Sequence, residues 1–394
     1  MGKDKKKIAV FRLTSRTKLF WANLMFIFIV GGIGLQALSS QGANAQPGNQ
    51  PPQQIPTGVK RVGADLSVAF PPPGVDVDAD IAIIDRGVAA YHPDLNVYRC
   101  LTFSSPKSSV ETNTPIVPVR GCRDENGHGT SVAGVAAAKN NNIGTVGTAP
   151  GARIWALDVC DPVCTPNAML AAYRYVLAHA DEIDVVNISL GVNFPTNFKE
   201  DKAAIEAIIS KGVVVVVSAG NENIDVKGRS PSGIPAAITV SAIADTDGKC
   251  GGKGPPTPVN RVINPDDFIL SASNFGSGVD FAAPGNYIRT TIPPDRYDNT
   301  ASDTSVAAPH VAGAVALFKS RHPNATPAEI EKVLHNDATK VPPASLRLKA
   351  PADPLQPCDG KARGYFAHAY PPSSKVRPGS HYHYEDLLYM GNIK

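Results

Sequence analysis

From about Val59 onward, short runs of Val, Ile, Leu and Ala alternate with longer stretches whose apolar positions recur at helical spacing. The runs at 80–84, 153–159, 184–190, 213–218 and 237–243 predict strands. They are continuous in apolar character, which suits parallel strands covered on both faces. Between them, 130–139, 167–180, 199–210 and 305–321 predict helices. A further helix opens at Thr326-Pro327-Ala328-Glu329, where Thr caps, Pro fits the first turn and Glu completes a capping box. Strands alternating with helices predict an α/β fold. Its form is a doubly wound, mostly parallel sheet with helices on both faces and a site at the carboxyl ends of the strands. Asp85 and Ser189 both stand at such ends.

The pattern also divides the chain. Residues 46–58 are rich in Gln and Pro and predict an extended tether. Residues 59–348 form the patterned body, interrupted at 247–270 by a Gly- and Pro-rich surface insertion. Residues 349–394 read as a Pro-, Tyr- and His-rich extension, and there is no internal repeat. At the other end, a basic start runs into an apolar stretch, Leu19 to Leu38, and then to Ala43-Asn44-Ala45. That order predicts a secretory signal, residues 1–45, cleaved after Ala45. Uncut, the same stretch is long enough to anchor the chain in a membrane.

Charge sharpens this division. The formal +3 includes seven basic residues against Asp4 in the first eighteen positions, a local +6, and residues 19–45 carry no charge. The remainder is therefore −3, which leaves no basic face for nucleic acid. All six cysteines (Cys100, Cys122, Cys160, Cys164, Cys250 and Cys358) follow the predicted signal, so disulfides are expected. Six cysteines allow 15 connectivities; Cys100–Cys122 and Cys160–Cys164 are the local pairings, leaving Cys250 for Cys358.

Three short windows carry chemistry. Asp85 closes Ile81-Ala82-Ile83-Ile84-Asp85, His128 sits in Asn126-Gly127-His128-Gly129-Thr130, and Ser305 begins Ser305-Val306-Ala307-Ala308-Pro309-His310. Each taken alone has an ordinary structural role: a strand-end turn, a loop histidine, a helix cap. Together they supply an orienter, a base and a nucleophile for acyl transfer.

The full windows resemble subtilisin-type (subtilase) serine peptidases, nearest the proteinase K branch. The likeness covers roughly residues 56–340 and includes His92-Pro93-Asp94-Leu95, the stretch from Asn126 to Gly134, and Thr304 to Gly313. It implies a secreted, monomeric endopeptidase acting on protein or peptide substrates, with Asp85, His128 and Ser305 as triad. Asn221, in Ser218-Ala219-Gly220-Asn221, would donate its amide to the oxyanion beside the Ser305 N–H. Ser189, Leu190 and Gly191 would pair with the substrate backbone, and Ser218, Ala219 and Gly220 would help to wall the pocket. His310 belongs to the motif as a structural residue. Two calcium sites are implied as well. One is formed by Asp94 and Asn141 with carbonyls of Lys139, Ile143 and Thr145, the other by Asp280 with carbonyls of Pro235 and Ala237.

This chain departs from the family pattern at several places. Asp303 stands where glycine is usual, raising the prospects of a strained backbone and of a carboxylate that repels the oxyanion. Arg86 follows Asp85, where it would pair with that carboxylate or with Asp303. Val306 replaces the usual methionine. The 13 residues at 46–58 are too few for a folded pro-domain. These departures support an alternative: a catalytically impaired subtilase-fold protein that binds extended peptides or stays at the membrane. Arg229, in the pocket-forming loop, hints at a preference for acidic residues.

Overall fold

The structure is a computed structural model that describes residues 50–103, 123–160, 163–191, 198–249, 252–259, 261–337, 366–367 and 384–390. The predicted signal and Cys122, Cys250 and Cys358 lie outside these residues. Among the described residues no helix is long and apolar enough to cross a membrane.

The elements in chain order are α1 (Thr57–Arg61), β1 (Asp80–Asp85), β2 (Val97–Thr102), α2 (His128–Ala137), β3 (Arg153–Asp158), α3 (Pro166–Ala178) and β4 (Val185–Ile188). There follow α4 (Phe198–Ile209), β5 (Val214–Ser218), β6 (Ile238–Ala244), β7 (Thr257–Val259), β8 (Val262–Asn264) and β9 (Phe268–Ile269). The chain continues through β10 (Phe281–Pro284), β11 (Ile288–Ile292), β12 (Arg296–Ala301), α5 (Thr304–Lys319), α6 (Pro327–Asp337), β13 (Phe366–Ala367) and β14 (Tyr384–Leu387).

Eight strands, in the order β2-β3-β1-β4-β5-β6-β10-β14, form one parallel array, with β9 and β13 added antiparallel. The apolar runs are continuous because both faces are covered: every residue of β1, β4, β5 and β6 is buried. Helices α2 and α5 pack on one face, α3 and α4 on the other. From β1 the chain builds outward in one direction through β3 and β2, and in the other through β4, β5, β6 and β10. The strand order thus reverses at β1, and a crevice forms beyond the carboxyl ends there.

Local signals in the sequence acted as expected. Thr326 and Glu329 exchange capping bonds at the start of α6: Thr326 N donates to Glu329 Oε2 (2.9 Å) and Glu329 N to Thr326 Oγ1 (3.3 Å). Thr165 caps α3 through the Ala168 N–H (3.2 Å). Cys160 and Cys164 are disulfide-bonded.

Three features differ from the reading of the sequence. The tether is extended but docked: Gln53 N and Gln54 N donate to the Asn142 and Gly144 carbonyls, each at 3.1 Å. Its helical continuation α1 begins two residues before the expected boundary at Val59. The insertion folds into the antiparallel pair β7–β8. The extension is also not wholly an appendage. Strand β14 adds to β10 in parallel, and Leu387, Leu388 and Met390 are completely buried. A Pro- and Tyr-rich composition, with Glu385 and Asp386 inside the strand itself, hid it.

Candidate active site

Asp85 ends β1 with its carboxylate buried. Its Oδ1 accepts the Arg86 N–H (2.8 Å) and lies 2.7 Å from His128 Nδ1. Arg86 contributes only that backbone group: its side chain forms no ion pair with Asp85 or Asp303 among the described residues. Gly129 permits the close approach, since a Cβ there would lie 2.0 Å from the Gly87 carbonyl and 3.1 Å from Asp85 Cβ.

His128 is the first residue of α2, whose free N–H groups are met by Asp124, a residue the sequence reading missed. Asp124 accepts from Asn126 N, Gly127 N, Thr130 N and Thr130 Oγ1 at 2.7–3.1 Å. Burial alone would push the His128 imidazole down. The carboxylates of Asp85, Asp303 and Asp124 outweigh it and raise the imidazole to about 9.

Ser305 lies in the first turn of α5, nearly buried. Ser189 Oγ donates to its carbonyl (2.8 Å), which ties the end of β4 to the start of α5. His128 and Ser305 are not hydrogen-bonded to each other among the described contacts. Catalytic bonds of this kind are commonly long in the resting state and close on substrate.

Asn221 follows β5. Its Oδ1 accepts from both Thr304 N and Thr304 Oγ1 at 3.0 Å, and among the described residues its Nδ2 has no hydrogen-bond partner. Asn274, also missed, holds this loop: its Oδ1 accepts from Glu222 N (3.0 Å) and Ile224 N (3.1 Å). Its Nδ2 donates to the Ala219 carbonyl and to Glu222 Oε2, both at 2.8 Å. Ser218 and Ala219 are buried, Leu190 is half-buried and Gly191 is exposed, with open space where its side chain would be.

Asp303 carries no backbone strain. Its φ of −175° is ordinary extended geometry, and its Oδ1 caps α5 through the Val306 N–H (3.1 Å). His310 is completely buried and held neutral by that burial, with Nδ1 3.1 Å from Thr148 Oγ1. Arg229 already faces Glu222 at 3.7 Å.

Of the first expected calcium set, the side chains of Asp94 and Asn141 meet. Asp94 is fully buried, accepting from Asn141 Nδ2 (2.9 Å) and Thr145 N (3.1 Å), while Lys139 N donates to the Asp94 carbonyl (2.8 Å). Asn141 Oδ1 accepts the Ile143 N–H (3.2 Å), and the docked Gln53 touches Asn140 and Asn142 from the other side. The buried Asp94 carboxylate and the Asn141 amide oxygen are hard oxygen donors of the kind calcium takes, and Thr145 Oγ1 is left unpartnered. At the second, Asp280 Oδ2 accepts the Thr239 N–H (2.8 Å), and the side chains gathered around it are Glu331 and His335. Pro235 is exposed and Ala237 buried. Among the described residues, Asp280, Glu331 and His335, and separately Asp245, Asp247 and Asp266, are near enough to share a metal ion.

The family model for subtilases matches residues 78–351. The chain belongs to the subtilase family. Subtilisin NAT of Bacillus subtilis subsp. natto is 34% identical over 287 residues, covering 73% of this chain and 67% of that protein. Subtilisin Savinase of Lederbergia lenta is 32% identical over 295 residues, 75% of this chain and 95% of its own length. The solved structure of Sphericase has a TM-score of 0.56 at 29% identity, covering 74% of this chain and 92% of that one. The S41 Psychrophilic Protease also scores 0.56, at 28% identity and 73% and 91% coverage. These comparisons establish the subtilase family without placing the chain in the proteinase K branch. It is a serine endopeptidase acting on protein or peptide substrates.

Proposed function

We propose that Ser305 is the nucleophile, His128 the general base and Asp85 its orienting carboxylate. The observation that carries this reading is the 2.7 Å contact between buried Asp85 and His128 Nδ1. It leaves Nε2 as the nitrogen free to serve a hydroxyl. An extended substrate pairs with Ser189-Leu190-Gly191 and seats a side chain against Ser218, Ala219 and Gly220. Ser305 Oγ attacks the scissile carbonyl carbon as its proton passes to His128 Nε2. The developing oxyanion is met by Asn221 Nδ2 and the Ser305 N–H. Collapse breaks the C–N bond, and Nε2–H protonates the leaving amine. Water then repeats the sequence on the acyl-enzyme, releasing the acid and restoring Ser305.

In this reading the chain is exported by its N-terminal segment, cleaved after Ala45, and works as a monomer without nucleic acid. Asp94, Asn141 and the carbonyls of Lys139, Ile143 and Thr145 would hold a structural calcium, supplying no step of the reaction. The assignment is tested by fluorophosphonate labelling of wild type and Ser305→Ala. Labelling of the wild type alone is expected. A folded wild type that never labels would favour the peptide-binding alternative.

A further inference from the structure

Asp280 immediately precedes β10, while Glu331 and His335 lie one turn apart on α6. One ligating atom from each falls within 4.8 Å of the others. His335 is held from its far side: its Nδ1 lies 2.8 Å from Asp386 Oδ2 on β14, and its ring stacks on Phe281 (centroids 4.3 Å, planes 25° apart). With Nδ1 engaged by Asp386, His335 turns its Nε2 toward the cluster, where Glu331 Oε1 is 3.9 Å away. That distance is too long for a hydrogen bond. It is close to the separation of about 3–4 Å between two ligands that each bind one ion at about 2.0–2.2 Å.

Two carboxylates facing one imidazole nitrogen call for positive charge between them, carried by a proton or by a metal ion. Glu331 is partly exposed, which provides an entry path. The other acidic group has no such need, because Arg61 sits 2.6 Å from Asp245. The nitrogen donor decides the class of ion. Calcium and magnesium take oxygen ligands, whereas one imidazole with two carboxylates suits zinc. The Asp386–His335 contact is also the usual outer carboxylate that fixes a ligating histidine's tautomer.

We propose that Asp280, Glu331 and His335 bind a zinc-class divalent ion, with Asp386 orienting His335, and that this ion staples α6 to the sheet edge where β14 joins. The inference is independent of the triad assignment. It gives Asp280 to a site built from side chains, in place of the calcium set with the Pro235 and Ala237 carbonyls.

The test uses the full chain in a Ser305→Ala background, stripped with a chelator and dialysed, then titrated with Zn²⁺ alone. One zinc per chain and a raised Tm are expected. Substituted Co²⁺ should show d–d absorption that zinc removes, and millimolar Ca²⁺ should not compete. His335→Gln should abolish this binding, and Asp386→Asn should weaken it roughly 10- to 100-fold. If His335→Gln does not fold by far-UV circular dichroism, Glu331→Gln carries the test through its loss of the zinc-dependent Tm rise. A folded parent that binds no zinc, a Glu331→Gln or His335→Gln chain that binds like the parent, or displacement by calcium would each overturn the proposal.

Discussion

His128 is surrounded by more negative charge than its orienting partner alone supplies. Asp85 touches it, and Asp303 and Asp124 add to the field that raises the imidazole to about 9. A general base works only when neutral, so the acid limb of kcat/KM is expected to rise with an apparent pKa near 9. Asp303→Asn keeps an oxygen to cap Val306 and removes one negative charge. The acid limb should therefore move to lower pH and activity at pH 7 should rise. An unchanged pH–rate profile would show that Asp303 does not act on the imidazole. The same raised value links pH to stability: the contribution is fully present below about 6.5, the ordinary histidine value, and is lost as pH rises through about 9. Asn221→Ala should lower kcat roughly 10²- to 10³-fold with little change in KM, since its amide is needed when charge has built on the oxygen. A steady-state comparison that finds only a KM effect would contradict that role.

At the scale of elements, the site depends on close approaches between helix starts and strand ends. The first turn of α2 lies against Asp85 only because position 129 has no side chain. Gly129→Ala places a methyl group 2.0 Å from the Gly87 carbonyl, so backbone must shift. A loss of about 1–3 kcal/mol of stability is expected, with a larger fall in kcat as Asp85 and His128 separate. Denaturant unfolding and kinetics on the same preparation check both. The loop after β5 depends likewise on Asn274, which is buried and serves four partners. Asn274→Ala leaves the Glu222 and Ile224 N–H groups without their acceptor, at about 1–3 kcal/mol per group that stays dry. If thermal unfolding shows no loss, water has replaced the side chain.

At the scale of the whole molecule, the last described segment closes the sheet. Strand β14 covers β10, and Leu387, Leu388 and Met390 are buried beneath it. Leu387→Ala is expected to cost about 2–5 kcal/mol. Ending the chain at residue 348 should cost more, because it removes these side chains and bares a sheet edge prone to association. Unfolding midpoints and light scattering of the truncated protein provide the check. A truncated chain as stable as the full one would mean that this strand adds nothing to the fold.

The sequence by itself determined the elements and the identity of the candidate chemical groups. The reason is locality: continuous Val/Ile runs, the Thr326–Glu329 capping box and the short windows around Asp85, His128 and Ser305 all state their meaning within about ten residues. Tertiary structure alone decided what depends on groups far apart in the chain. Asp124 and Asn274 look like ordinary polar loop residues until their bonds to α2 and to the loop after β5 are seen. Asp303 looked strained until its backbone proved extended. Arg86 looked like a partner for Asp85 until its side chain was found to form no ion pair with either nearby acid. The meeting of Asp280, Glu331, His335 and Asp386 joins a strand entry, a helix and the last described strand, and no spacing along the polymer encodes it.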